Sequence, residues 1–359
     1  MTRLFHRRRN HTCFRAVIMR KNIITFFILG ILINSGLSAQ ETPIRLGWQI
    51  PWATQGQLVM GLKHTNIQQL VGSNVEFTGF SYGGPLNRAA LSGEVDVLLT
   101  ADQPALVLLT RNPDFQIVSR MMYNRVCVYV PPTSKISSLA DLGGKSIMGP
   151  VGAAAERVAM AGIAREGVDI SSMRSGKLDM AQQAALIAGV ESGQDWGEIH
   201  ALYGFDPMPA VFEEQGKARI LHCDKVVSVV VATRDMIENR TEELRAFLKG
   251  FILSWINFAN NPVEMNEKFS TDSRLNVSQE VLDSAASIEP NRWVQRVSKM
   301  SFEFSESDYE VFNQTNDFLL SREIIDKAVD MNAAIDLSLV QQVLSGADIS
   351  SLSKQIQPN

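Results

Sequence analysis

The run Gly149-Pro150-Val151-Gly152 sits between a short apolar strand and a helix opening at Ala153. Residues of these types can hold a polar head group. A helix N-terminus presents unpaired backbone N–H groups and a partial positive charge. Small residues beside it let a ligand approach the backbone closely. The plainer reading is an ordinary strand-to-helix turn. Comparable chemistry recurs where other predicted strands end. Gln49-Ile50-Pro51-Trp52 follows the first, Ser81-Tyr82-Gly83-Gly84 the second, and Thr100-Ala101-Asp102-Gln103-Pro104 the third. Met122-Tyr123-Asn124 lies within a long apolar run, and Tyr203-Gly204-Phe205-Asp206-Pro207 closes a later strand. Each segment sets an amide, hydroxyl or carboxylate beside glycine, proline or an aromatic ring. Apolar walls with a few convergent polar groups describe a small-molecule pocket. For any single ring, core packing is the simpler explanation; the repetition carries the pocket reading. Asp102 and Asp206 could equally cap the helices that follow them.

Catalysis has little support. Beyond the N-terminal leader the histidines are His64, His200 and His222, with no pair at metal-ligand spacing. No nucleophile elbow and no phosphate-loop lysine motif occurs. The chain therefore reads as a binding protein rather than an enzyme, with no metal and no cofactor.

Alternating strands and helices must position these groups. Strands are expected over 44–48, 75–80 and 95–99, with helices over 57–70, 85–91 and 104–110. A long β run over 115–130 stops at Pro131-Pro132. The alternation then resumes: strands over 146–148, 173–178 and 199–202, and helices over 153–165, 181–188 and 207–215. A second long crossing covers 219–221 and 226–232. Helices are expected over 242–260, 279–286, 308–320 and 337–344. Near-continuous apolar strands between helices indicate a parallel sheet covered on both faces. Two such halves joined by two long crossings indicate a bilobal α/β protein: 40–124 with 224–359 forming one lobe, and 125–223 the other. Ligands in open α/β sheets sit beyond the carboxyl ends of the strands, here facing an interlobe cleft that hinge closure can bury.

The first 39 residues read as a leader. Arg20-Lys21 precede the apolar run 23–33 and small residues ending at Ala39, the pattern of a secretory signal peptide with its start at Met19 and cleavage after Ala39. The run is short for a membrane span. The leader holds seven of the 34 basic residues and none of the 38 acidic ones, so the exported chain carries a net charge of −11. That disfavours nucleic acid or an anionic membrane surface as partner. Two cysteines remain, Cys127 and Cys223, which read as buried free thiols because sequence cannot supply their separation, although an oxidising compartment would let them pair.

The segments Ile44-Arg45-Leu46-Gly47-Trp48, Ala89-Ala90-Leu91-Ser92-Gly93-Glu94-Val95-Asp96, Gln103-Pro104-Ala105-Leu106, Ser138-Leu139-Ala140-Asp141-Leu142-Gly143-Gly144-Lys145 and Gly204-Phe205-Asp206-Pro207 occur in order across most of the chain up to about Leu221. In this order and spacing the chain resembles the periplasmic substrate-binding proteins of nitrate, sulfonate and taurine ABC importers. Their superfamily also holds binders of thiamine pyrimidine precursors. The resemblance implies a type II periplasmic-binding fold, with C-terminal helices packed on the first lobe. It implies capture without chemistry by a periplasmic monomer that delivers a small organic molecule to a membrane permease. Its ligand groups come from the strand ends, which makes Gln49, Trp52, Tyr82, Asp102, Gln103, Tyr123, Val151, Gly152, Ala153, Tyr203 and Asp206 the candidate contacts. An organic anion (sulfonate or carboxylate) would use the helix start near Gly152. A neutral pyrimidine-like heterocycle would stack on the rings and use Asp102 or Asp206. Enzymes on the same fold are the competing class. The chain departs from the family pattern at Val190–His200, an insertion expected to bring Trp196 near the cleft mouth.

Overall fold

The order of the strands places the site. In the computed structural model, which describes residues 42–359, all eight strands join one sheet in the order β2-β1-β3-β8-β4-β7-β5-β6. The strands are β1 Ile44–Gln49, β2 Val75–Phe80, β3 Val97–Ala101, β4 Phe115–Val130, β5 Ser146–Gly149, β6 Arg174–Lys177, β7 Ala201–Phe205 and β8 Arg219–Thr233. The segment expected to be a leader, with the start read at Met19 and cleavage after Ala39, lies outside the described residues. β1 runs parallel to β2 and β3 at one end, and β5 parallel to β6 and β7 at the other. The long strands β4 and β8 pair antiparallel along their whole length and carry the chain from one half-sheet to the other. β3 pairs with β8 through Ser228–Ala232, and β7 pairs with β4 through Val126–Tyr129. The two crossings thus turn the two halves into one continuous sheet.

Burial explains the apolar runs. Every residue of β3 and β7 is buried, as is Val226–Ala232, because helices cover both faces of a parallel sheet. On the first half lie α1 Gln55–His64, α2 Ile67–Val71, α3 Gly83–Leu91 and α4 Asp102–Arg111. On the second lie α5 Ala154–Arg165, α6 Met180–Ala188 and α7 Met208–Glu214. The chain then adds α8 Arg234–Glu238, α9 Thr241–Asn260, α10 Pro262–Ser273, α11 Gln279–Ala286 and α12 Glu306–Ser321. α9 is the core helix of the first half: Phe247, Phe251, Trp255 and Phe258 are buried, and the Trp255 indole N–H donates to the Met121 carbonyl at 3.2 Å. Among the described residues no helix is long and apolar enough to cross a membrane.

Several expectations shift. The helix expected over 57–70 is two helices. Thr65 is extended, its hydroxyl donates to the Gly61 carbonyl, and Asn66 donates its N–H to Gln357, so the C-terminus pins the break. β3 starts two residues late because the chain turns at Gly93, in the left-handed region at φ 76°. α10 was not expected, although Pro262 stands at its start, where its missing N–H costs nothing.

The cysteine reading is corrected. Cys127 and Cys223 face each other in the β4–β8 register and form a disulfide, with Cα atoms 4.1 Å apart. Sequence could not show this because 96 residues separate them. Cross-linking so distant a pair restricts the unfolded chain, typically by about 2–4 kcal/mol. Replacing both cysteines by alanine is expected to lower the melting temperature by several degrees. Dithiothreitol should then shift the wild type and leave the variant unmoved; equal melting of the two would mean the bridge adds nothing.

Candidate ligand-binding site

The carboxyl ends of β1, β3, β5 and β7 meet at the seam between the half-sheets. β1 ends at Gln49, whose N–H donates to the Gln55 side-chain oxygen at 2.6 Å. The chain then turns through Trp52, and Thr54 takes φ 69°, a strained value for a β-branched residue. The Thr54 N–H is held by the Gln57 side chain at 2.6 Å. This turn carries Trp52 to the seam, where its ring meets Phe205 from β7 at 5.7 Å between centroids. The halves also touch through backbone: the Ala53 N–H donates to the Asp206 carbonyl at 3.2 Å. At the periphery, Ser278 at the start of α11 donates to Glu214 of α7 at 2.9 Å.

The glycine loop works differently from its sequence reading. Gly149 is required by the Tyr203 ring, which lies where a side chain would be, 2.3 Å from an added Cβ. Gly152, at φ 87°, gives its N–H to the Glu156 carboxylate at 2.7 Å, and Ala153 gives its own to Pro150 at 3.0 Å. The loop thus caps itself, and the seam is lined by Ala153, Ala154 and Ala155 at the start of α5. Val151 points outward and is 42% exposed.

Both candidate carboxylates are held by arginines. Asp102 opens α4, fully buried; its carboxylate accepts from its neighbour Gln103 at 2.6 Å and from Arg157 of α5 at 2.8 Å. This ion pair crosses the seam. Burial pushes the Asp102 carboxyl up, against the pull of Arg157. Asp206 does not cap α7; it accepts from Arg125 of β4 at 2.8 and 3.3 Å. Its carboxyl is also raised by burial, opposed by Arg125. Tyr82 is buried over Gly84, with the Lys177 ammonium of β6 at 5.7 Å from its ring.

Two expected contacts lie elsewhere. Tyr123 turns away from the seam: its hydroxyl donates to Asp308 of α12 at 2.7 Å, and its ring lies between Arg120 and Lys225. Burial and the Asp308 hydrogen bond push its phenol up to about 12. Trp196 is not at the cleft mouth. It is buried in the second half, donates to the Lys217 carbonyl at 3.1 Å and meets the edge of Tyr129.

The seam encloses a cavity of about 10 Å³, room for one water, lined by Gln49, Trp52, Pro104, Val126, Ala154 and Phe205 among others. Residues that line it, or stand within two positions of those that do, carry buried polar atoms with no partner among the described residues. They are the Gln49 amide nitrogen, the Trp52 indole nitrogen, the hydroxyls of Thr100 and Tyr203, the side-chain oxygens of Gln103 and Asn124, and Nε of Arg157. Leaving such an atom unpaired costs about 1–3 kcal/mol. Two of them, on Gln49 and Trp52, belong to residues that line the cavity, and polar atoms left unpaired there are the mark of a site completed by a ligand. Thr100, Asn124, Arg157 and Phe205 were not singled out from sequence. Arg157 had a usable signal: it lies one helical turn beyond the small residues that open α5.

No curated protein matches the sequence. Solved structures do match in fold. The alkanesulfonate-binding protein SsuA of Xanthomonas axonopodis pv. citri, bound to MOPS, superposes with a TM-score of 0.66 at 17% identity, over 82% of this chain and 98% of that one. A Candida albicans gene product with the generic periplasmic binding protein fold gives 0.63 at 14% identity, over 82% and 96%. The desulfurization enzyme DszB with biphenyl-2-sulfinic acid gives 0.61 at 12% identity, over 84% and 99%. These likenesses establish the periplasmic-binding-protein fold. The family model described as NMT1/THI5 like matches residues 83–265, just over half of the chain and every element from α3 to α9, and the chain belongs to that family.

Proposed function

We propose that the protein is an exported receptor that captures a small organic acid, a sulfonate or carboxylate, between two lobes and hands it to an ABC import permease. The lobes are 40–124 with 224–359, and 125–223, hinged where β4 and β8 cross. Residues 1–39 serve as the export signal, so the receptor works in the periplasm as a monomer. The observation that carries the reading is the two unpaired buried donors, on Gln49 and Trp52, at the lining of the seam cavity. The Gln49 amide and the Trp52 indole both offer an N–H, and the start of α5 lies beside them. Donors and a helix N-terminus favour an acceptor-rich, negatively charged head group. The carboxylates expected to serve a pyrimidine, Asp102 and Asp206, are both paired with arginines.

A thermal-shift screen of sulfonates, carboxylates and pyrimidines tests this, because a ligand that binds the folded form raises its melting temperature. Organic acids are expected to stabilise and pyrimidines not; the reverse pattern would overturn the ligand assignment, and turnover of a bound compound would overturn the receptor. Trp52→Phe keeps the ring against Phe205 and removes the indole N–H. It should weaken binding about tenfold, roughly one hydrogen bond, with melting little changed. Undiminished affinity in isothermal titration would remove Trp52 from the site.

A further inference from the structure

Trp52 reaches the seam on a turn that one buried amide holds in place. Thr54, two residues on, takes φ 69°. A β-branched residue keeps such a value only where its surroundings fix it. The fixing group is the Gln57 side chain, whose oxygen accepts from the Thr54 N–H at 2.6 Å. We propose that Asn266 of α10 is the positioning residue for Trp52, acting through Gln57. What Trp52 does once placed rests on the receptor reading above; what holds it there does not.

Three side-chain amides run in series. The Gln57 nitrogen donates to the Asn266 oxygen at 2.9 Å. The Asn266 nitrogen donates to the Gln279 oxygen of α11 at 2.9 Å and to Asp283 at 3.3 Å. The two ends dictate the direction of every bond. A backbone N–H only donates, so Gln57 turns its oxygen to Thr54 and its nitrogen to Asn266. At the far end the Asp283 carboxylate, paired with Arg292 at 3.1 Å, only accepts. Asn266 meets both demands, with its oxygen on one side and its nitrogen on the other. Thr54, Gln57 and Asn266 are all fully buried, so bulk water does not replace a missing partner. α1 also starts directly against α10: the Phe269 ring lies 2.1 Å from where a Cβ on Gly56 would be. The outer end of the series is anchored as well. Ser278, beside Gln279, caps α11 and donates to Glu214 of the second half. Without Asn266 the Gln57 amide is free to rotate, and the strained turn relaxes with the Trp52 indole N–H on it.

Fluorine NMR of the protein labelled with 5-fluorotryptophan reads the position of Trp52 without any ligand, and Trp52→Phe identifies its resonance among the five tryptophans. Asn266→Leu should shift or broaden that resonance and leave Trp196, in the second half, unmoved. Asn266→Asp keeps the oxygen that Gln57 needs and loses the donor to Gln279 and Asp283. It should therefore melt earlier than the wild type with the Trp52 resonance in place. Asn266→Ala serves if Asn266→Leu does not fold. In titrations with methanesulfonate, Asn266→Leu should bind about tenfold more weakly, roughly one hydrogen bond. Added to Trp52→Phe it should cost less than about twofold more, because the donor it places is already gone. A Trp52 resonance that stays put in Asn266→Leu, or moves as far in Asn266→Asp, overturns the positioning role, as does full additivity of the two substitutions. Failure of methanesulfonate to bind the wild type counts against the organic-acid reading, and the fluorine spectrum still decides the positioning.

Discussion

Arg157→Met is expected to weaken organic-acid binding by a hundredfold or more. Asp102 is fully buried and Arg157 is its only charged partner among the described residues, at 2.8 Å. Removing one member of a buried pair leaves an uncompensated charge, typically at about 3–5 kcal/mol. A receptor that opens can avoid that cost by exposing Asp102 to water, so the loss should fall on closure and hence on affinity. At about 1.4 kcal/mol per tenfold, it corresponds to two to three decades. Asp102→Ala should behave similarly, because it strands the guanidinium instead. The double variant Asp102→Leu with Arg157→Met removes both charges, and much of the lost affinity should return. Affinities by titration and shape by small-angle scattering check this. Single variants that bind like the wild type would show that the pair has no part in closure.

Glu289→Ala is expected to lower the melting temperature by about 10 °C without changing ligand affinity at 20 °C. The Glu289 carboxylate accepts from two nitrogens of Arg120 at 2.7 and 3.2 Å, from the Tyr123 N–H at 2.7 Å and from the Asn291 N–H at 3.0 Å. Arg120 and Glu289 are both buried. Arg120 also donates to the carbonyls of Ser301 and Glu303. The pair therefore ties the segment leading to α12 onto β4, close to where the strands cross. Its loss strands a buried guanidinium at about 3–5 kcal/mol, and a chain of this size loses about 2–4 °C per kcal/mol. Calorimetric melting of Glu289→Ala and Glu289→Gln measures it, the second retaining the shape and losing the charge. Melting within 2 °C of the wild type would deny the anchor its role.

Local pattern carried much of the fold. β2, β4 and α11 have the ends expected of them, and most other elements agree within a residue or two. Apolar continuity marks buried parallel strands, and glycine or proline marks their limits, whatever the rest of the chain does. Tyr123 shows where such reasoning stops. β4 has register irregularities between Ile117 and Ser119 and between Arg120 and Met122. Each bulge changes which side chains share a face, so alternation could not say that Tyr123 turns towards α12. The glycine loop fails for a different reason. Its free N–H is claimed by Glu156, four residues on, a competitor that loop composition does not show.

Gln49, Trp52 and Ala153, singled out at strand ends, line one cavity, because the ends of parallel strands gather at one edge of a sheet. The strand-end reading missed Arg157 because the partner that buries it, Asp102, lies 55 residues away. What the sequence determined alone was therefore everything set by near neighbours: strand, helix, turn, the two crossings and the edge where polar groups collect. Only the tertiary structure decided which charges pair, which thiols join and which polar atoms are left unpaired. The reason is physical. Apolar burial is non-directional and follows the local pattern, whereas a hydrogen bond or ion pair exists only when two atoms come within about 3 Å in the right direction.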